Sequence, residues 1–264
     1  MLVISNNLSF MNAKFVKAAK SGDMPAMAAM ATGLKEAGAD MINISLSLDG
    51  DGDEKLMRQA VQAVQEAGLP LSIDSRNPAA MKAAIEAATV PVTLNYISAE
   101  DKMAERMGEI AKLAAAKKTD LVLYAIKKGT PADADERLSI ISGLMEAAGN
   151  AGVPDERMII DPVILHLGGG GSGQAAAVAV QETLYGIREM VEPPVRTTCW
   201  ISNVSAGAPH ELRPAINDTF LAMLAGIGLY SAYLDVFDRE TMRTVRLIRS
   251  LRNESVFSLT DARV

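Results

Sequence analysis

The chain has 264 residues, 49% of them apolar, 22% charged, with a net charge of −6. That length fits one α/β barrel with a sizeable core, and interleaved acids and bases without a basic cluster speak against nucleic acid or an anionic membrane as partner. A single cysteine, Cys199, excludes an internal disulfide and cysteine-built zinc sites, and two histidines are too few for most zinc catalytic triads, so no metal site is expected.

In chain order, short β-type runs alternate with longer segments of helical spacing. The first run, LVIS (2–5), sits in MLVISNNLSF, which lacks the basic start and long apolar run of a signal peptide. No segment approaches the roughly 20 apolar residues of a membrane span, so a cytoplasmic protein is expected. Further strands are predicted at 40–46 (DMINISL), 70–74 (PLSID), 91–95 (PVTLN), 120–125 (DLVLYA), 157–161 (RMIID), 195–202 (VRTTCWIS) and 229–235 (LYSAYLD). Between the second and third, DEKLMRQAVQAVQEAG puts Leu56, Ala60, Val61, Val64 and Ala67 on one helical face, with Gly68 as C-cap. Between the third and fourth, NPAAMKAAIEAA opens with Asn77 as N-cap and Pro78 at the first helical position.

The turns entering the strands are short (AGAD, AGLP, ATVP), whereas those leaving them are long and polar (SLDGDG, KKGTPADAD, HLGGGGSGQ, NVSAGAPHELRP). Eight β/α units with elaboration at the C-terminal strand ends predict a (β/α)8 TIM barrel, a single domain over 1–264 with its site at that end. A doubly wound open sheet is the alternative. The tail SVFSLTDARV is expected to pack outside the barrel.

Asp74, Asn95, Asp161, Asn203 and Asp235 stand at or just past the ends of five predicted strands, and the second strand carries Asn43 and Ser45. Any one of these commonly caps the following helix. Together, carboxylates alternating with carboxamides around one cavity suit a flat heterocycle rich in N–H donors and lone pairs. The glycine run Gly168–Gly171 lacks the Lys-Ser/Thr of a phosphate loop and reads as a loop over the mouth. DGDGDE (49–54) resembles part of a calcium loop but lacks the closing glutamate and reads as a solvated turn. His166 follows a strand, within reach of the cavity or simply structural; Cys199 reads as a small buried apolar residue.

LSIDSRN, VTLNYIS, MIIDPVI and ISNVSAG…RPAINDTFLAMLAGIGL, in this order over almost the whole chain, resemble the pterin-binding TIM barrels. The closer branch is the tetrahydrofolate–corrinoid protein methyltransferases and the folate module of cobalamin-dependent methionine synthase. The resemblance implies that Asp74, Asn95 and Asp161 hydrogen-bond a pterin ring. It further implies that Asn203, beside Ser202, approaches nitrogen 5 of tetrahydrofolate or 5-methyltetrahydrofolate. Asn203 and Asp161 are thus the catalytic candidates, and Asp235 and Arg213 further substrate-binding ones. The implied partner is a separate corrinoid (cobalamin) protein, and a homodimer is expected.

Departures fall at the rim. SNNLS puts Asn6 and Asn7 where relatives often carry Glu and Arg, strand two has Asn43 and Ser45 for Asp-x-Asn, and strand five has Ile126 beside Lys127. Possible rim contacts are therefore Asn6, Asn43, Lys127 and His166. Two alternatives remain: a dihydropteroate synthase-like enzyme and a non-catalytic pterin-binding subunit. The first typically carries Ser-Arg-Lys and Arg-x-His on strands seven and eight, where this chain has Ser202-Asn203-Val204 and LDVFD.

Overall fold

The computed structural model describes residues 1–46, 54–168 and 170–263. Eight parallel strands close into a barrel in chain order: β1 (Leu2–Leu8), β2 (Met41–Ser45), β3 (Leu71–Asp74), β4 (Val92–Ser98), β5 (Asp120–Tyr124), β6 (Met158–Asp161), β7 (Arg196–Trp200) and β8 (Ser231–Leu234). The helices among the described residues are α1 (Ala13–Ser21), α2 (Met24–Glu36), α3 (Glu54–Val64), α4 (Pro78–Ala87), α5 (Asp101–Lys117), α6 (Ala134–Asn150), α7 (Gly171–Met190), α8 (Arg213–Ile227) and α9 (Arg239–Leu251). The closed ring rules out the open doubly wound sheet. Calcium-like residues 49–53 lie outside the described residues; Glu54 opens α3.

Local sequence explains the elements. The Asn77 side chain accepts the Ala79 N–H and Pro78 occupies the first turn of α4, where its missing N–H costs nothing. Gly68 is left-handed (φ 72°) at the end of the 3-10 turn Gln65–Ala67 that continues α3. On α3 the buried stripe is Met57, Ala60, Val61, Ala63 and Val64; Leu56 is only partly buried, so the apolar face is rotated toward Met57. The tail 254–263 lies outside the barrel, where its 3-10 turn Leu259–Ala262 packs beside α9.

Three strands differ from expectation. β1 continues to Leu8 and β4 to Ser98, each past a register irregularity, so Asn95 is inside its strand rather than at its end. β7 stops at Trp200, and Ile201–Ser205 turn into a 3-10 helix. Apolar β-rich character alone cannot distinguish a strand's last residues from a buried tight turn.

Strand register sorts the side chains. Residues paired across a sheet share a face, and residues two apart on a strand share it too. The pairs Asn43↔Ser72 and Ser45↔Asp74, Asp74↔Asn95, Asn95↔Val122, Tyr124↔Asp161, Ile159↔Arg196, Thr198↔Ser231, Trp200↔Tyr233, Tyr233↔Ile4 and Ile4↔Met41 run round the ring and return to β2. The opposite face carries Ile42, Ile44, Leu71, Ile73, Leu94, Leu121, Leu123, Met158, Ile160 and Cys199, all in the main apolar core with the helices. The barrel is therefore greasy outside, beneath its helices; inside, Val122, Tyr124 and Ile159 form a smaller apolar cluster, and the polar side chains gather on β2, β3 and β4 and at Asp161. At its floor, Arg196 bridges Asp120 (2.8 Å) and the Glu156 carbonyl (2.8 Å) and lies 5.5 Å from the Tyr230 ring centroid.

Candidate active site

The inward face brings the sequence-predicted carboxylates and carboxamides together. Ser45, Asp74 and Asn95 are neighbours on β2, β3 and β4 at one level, with Asn43 and Ser72 below. Asp161 joins them through Tyr124 on β5. Asn43 and Asn95 are fully buried, yet neither atom of either amide has a hydrogen-bond partner; Asp161 Oδ2 is likewise buried and unpartnered. Buried polar atoms are almost always satisfied, and leaving one bare costs about 1–3 kcal/mol. Five such atoms stand on the inward face of one barrel, left bare where a structural network would have paired them.

The two carboxylates are electrostatically tuned. Burial raises Asp161 to about 7, opposed by the hydrogen bond from the Val163 N–H (2.8 Å) and by the Arg137 charge. Burial also raises Asp74 to about 6; a hydrogen bond from Ser45 and the Arg76 charge pull it down, with a weaker pull from Asn43 beyond hydrogen-bond distance. Both acids thus change charge near neutrality, and burial makes both costly to ionise.

A layer of aromatics that strand-end reading missed fills the space between them. Tyr96 stacks on Tyr124 (centroids 3.9 Å) and Trp200 on Tyr233 (4.2 Å), the ring planes of each pair almost parallel. The Trp200 indole N–H donates to the Tyr124 hydroxyl, and the Tyr233 hydroxyl pairs with Ser72 (3.0 Å). Burial pushes the Tyr124 and Tyr233 phenols up, so both are neutral donors or acceptors. The period-two spacing that puts Tyr124, Trp200 and Tyr233 on the same face as Val122, Thr198 and Ser231 was the available signal.

Asn203 and Ser202 lie at the mouth on a different support. In the turn after β7, Ile201, Val204 and Ser205 are buried, while Ser202 and Asn203 are exposed. Ala206 N–H donates to the Asn203 carbonyl (3.1 Å), and Leu167 N–H donates to the Val204 carbonyl (2.8 Å), tying the turn to the loop that carries His166. A turn anchored by main-chain bonds thus presents an exposed carboxamide. Arg213, exposed at the start of α8, donates from Nε to the Ala208 carbonyl (2.9 Å) and closes the loop between. Asp235, just past β8, accepts from Asn7 Nδ2 (2.6 Å) and the Phe237 N–H (3.0 Å). Asn7 in turn accepts from Ser5 and the Val236 N–H, so the rim asparagine on β1 stitches the first strand to the last. Asn6 is half-buried; Lys127 and His166 are exposed. Gly169 of the glycine run lies outside the described residues. Among the described residues, no cluster of His, Cys, Asp or Glu could hold a metal ion, and no helix is long and apolar enough to cross a membrane.

A parallel eight-stranded barrel with an acid- and amide-lined C-terminal mouth defines a class, and residues 9–231 match the pterin binding enzyme family: the chain belongs to it. Within that class it is 24% identical over 246 residues to the methylcorrinoid:tetrahydrofolate methyltransferase of Eubacterium limosum, covering 93% of this chain and 89% of that one. It is 26% identical over 205 residues to the methionine synthase of Mycobacterium tuberculosis, 74% of this chain but 17% of that protein. Among solved structures, the dihydropteroate synthase of Stenotrophomonas maltophilia superposes with TM-score 0.67 at 17% identity, covering 97% of this chain and 94% of the other. That of Coxiella burnetii, solved with pteroic acid, gives 0.64 at 14%, covering 96% and 94%. At these identities the structural likeness shows the fold alone.

Proposed function

We propose that this enzyme moves a methyl group between a methylcorrinoid, carried on a separate protein, and nitrogen 5 of tetrahydrofolate, forming methyltetrahydrofolate. The observation that carries the reading is the set of bare, buried amide and carboxylate atoms of Asn43, Asn95 and Asp161 on the inward face of one barrel. The 2-amino-4-oxo edge of a pterin offers paired N–H donors and acceptors, which such groups satisfy and a hydrocarbon ligand would not. The corrinoid supplies a cobalt-bound methyl group whose bonding pair stays with cobalt.

Every other task falls to the chain's own side chains. Asp161 and Asp74 accept N–H donors of the ring; Asn95 and Asn43 match its mixed edge. Asn203, at the open side, hydrogen-bonds nitrogen 5 whether that atom is protonated or not, because a carboxamide both donates and accepts. As the nitrogen lone pair takes the methyl carbon, its proton leaves to water at the exposed mouth. Catalysis is chiefly orientation of two large reactants, and no protein nucleophile is required.

Dihydropteroate synthase chemistry is disfavoured because it needs cations for a pyrophosphate leaving group, and Ser202-Asn203-Val204 and Leu234-Asp235-Val236 supply none. The name of the Eubacterium limosum relative points to methyl transfer as well. The test is incubation with methylcobalamin and tetrahydrofolate. Formation of methyltetrahydrofolate is expected; tight folate binding with no methyl transfer, also with a methylated corrinoid protein, would leave a non-catalytic pterin-binding subunit.

A further inference from the structure

Arg137, on the first turns of α6, is the largest fully buried side chain among the described residues. An arginine is hardly ever buried without a purpose that offsets its desolvation. Its partners are not acids. Nε donates to the Pro131 carbonyl (3.0 Å), and Nη1 donates to the carbonyls of Pro162 (2.6 Å) and Val163 (2.8 Å). One guanidinium therefore joins the loop after β5 to the loop after β6.

The second of those loops is unusual. Val163 has φ 62°, the left-handed region that a β-branched residue rarely enters. In that conformation its N–H points back at Asp161 Oδ1 (2.8 Å). The consequence is an asymmetric carboxylate: Oδ1 is occupied by main chain, and Oδ2 is buried and bare.

We infer that Arg137 is a positioning residue for the ligand-binding carboxylate: forked onto three carbonyls, it locks the turn after β6 so that the Val163 N–H occupies Asp161 Oδ1 and Oδ2 alone meets the ligand. The identity of that ligand rests on the pterin reading; the locking does not. Arg137 also sets the charge balance. The titratable groups that interact electrostatically with Asp161 are Tyr124 from β5, Cys199 from β7, Tyr233 from β8 and Arg137 from α6. Burial keeps the two phenols and the thiol protonated, so Arg137 is the one charge among them that favours the ionised acid. Asp74, titrating at the far side of the barrel, is read separately by its own signal.

Two measurements test this. First, the Asp161 carboxyl of the ligand-free protein is titrated by carbon-13 NMR, its signal assigned by its loss in Asp161→Asn. Arg137→Gln should move the midpoint upward, and Arg137→Lys, which keeps the charge but not the fork that holds the Val163 N–H on Asp161, should move it upward by less. Second, tetrahydrofolate affinity is measured by calorimetry above the midpoint. Arg137→Lys, which cannot fork onto three carbonyls, should bind about tenfold more weakly. Adding Val163→Gly, for which the left-handed turn is unstrained, should restore most of that loss. A support role elsewhere in the fold would not be rescued by glycine at 163. Should Arg137→Gln not fold, Arg137→Lys and its glycine revertant still decide. Variants with unchanged midpoint and unchanged affinity would overturn the inference. A wild-type protein that binds no folate would sink the pterin reading instead, and the titration arm alone would then decide for Arg137.

Discussion

Replacing Asp161 by asparagine should make the ligand-free enzyme more stable at alkaline pH while weakening its hold on folate. The carboxyl is buried and titrates at about 7 in the folded chain against 3.8 as a free side chain. A folded-state value raised in this way means that the native protein keeps a proton that the unfolded chain releases. Its stabilising contribution is therefore complete below 3.8, is lost as pH rises toward 7, and is gone above that. At ~1.4 kcal/mol per pH unit the upper limit of the loss is about 4 kcal/mol. Asparagine keeps an oxygen for the Val163 N–H and never ionises. The stability gained by Asp161→Asn should accordingly grow by about 2–3 kcal/mol between pH 5 and pH 8. Urea unfolding of both proteins at a series of pH values measures it. A difference that stays constant with pH would refute the claim that this carboxylate is held in a costly state. Affinity should move the other way, because the asparagine presents an N–H where the ligand needs an acceptor.

Asn203→Ala should lower kcat for methyl transfer by about a hundredfold with folate affinity largely kept, as for loss of a group that acts mainly in the transition state; unchanged turnover would remove this amide from the mechanism. Asn95→Leu replaces an unpartnered buried amide by hydrocarbon of similar volume. It should stabilise the ligand-free protein by about 1–3 kcal/mol while abolishing measurable folate binding, and calorimetry plus thermal unfolding read both. Cys199 is fully buried with its thiol pushed well up. Alkylation should proceed only through unfolding, which mass spectrometry under native and denaturing conditions would reveal.

Much of this was legible in the chain. Alternation of two residues marked the strands, and the contrast between short entering and long leaving turns marked which end of the barrel was elaborated. Asp74, Asn95 and Asp161 could be grouped because each stands at or near the C-terminal end of a predicted strand, and a barrel gathers those ends on one side. Three things were not legible. The turn at Ile201–Ser205 begins with a buried isoleucine that directly continues the apolar run of β7, so the predicted strand runs past Trp200. Arg137 lies in an ordinary-looking helical stretch, and its burial depends on where two distant loops pass. The occupied state of Asp235 depends on Asn7, 228 residues away, a contact made only by ring closure.

The aromatic layer has a practical side. Trp200 is the chain's single tryptophan, and its indole is stacked on Tyr233 and bonded to Tyr124 between the two acids. Its emission comes from one place alone. Ordinary fluorescence, with no label attached, thus watches the barrel mouth directly: a guest settling there must change the light that this indole gives off.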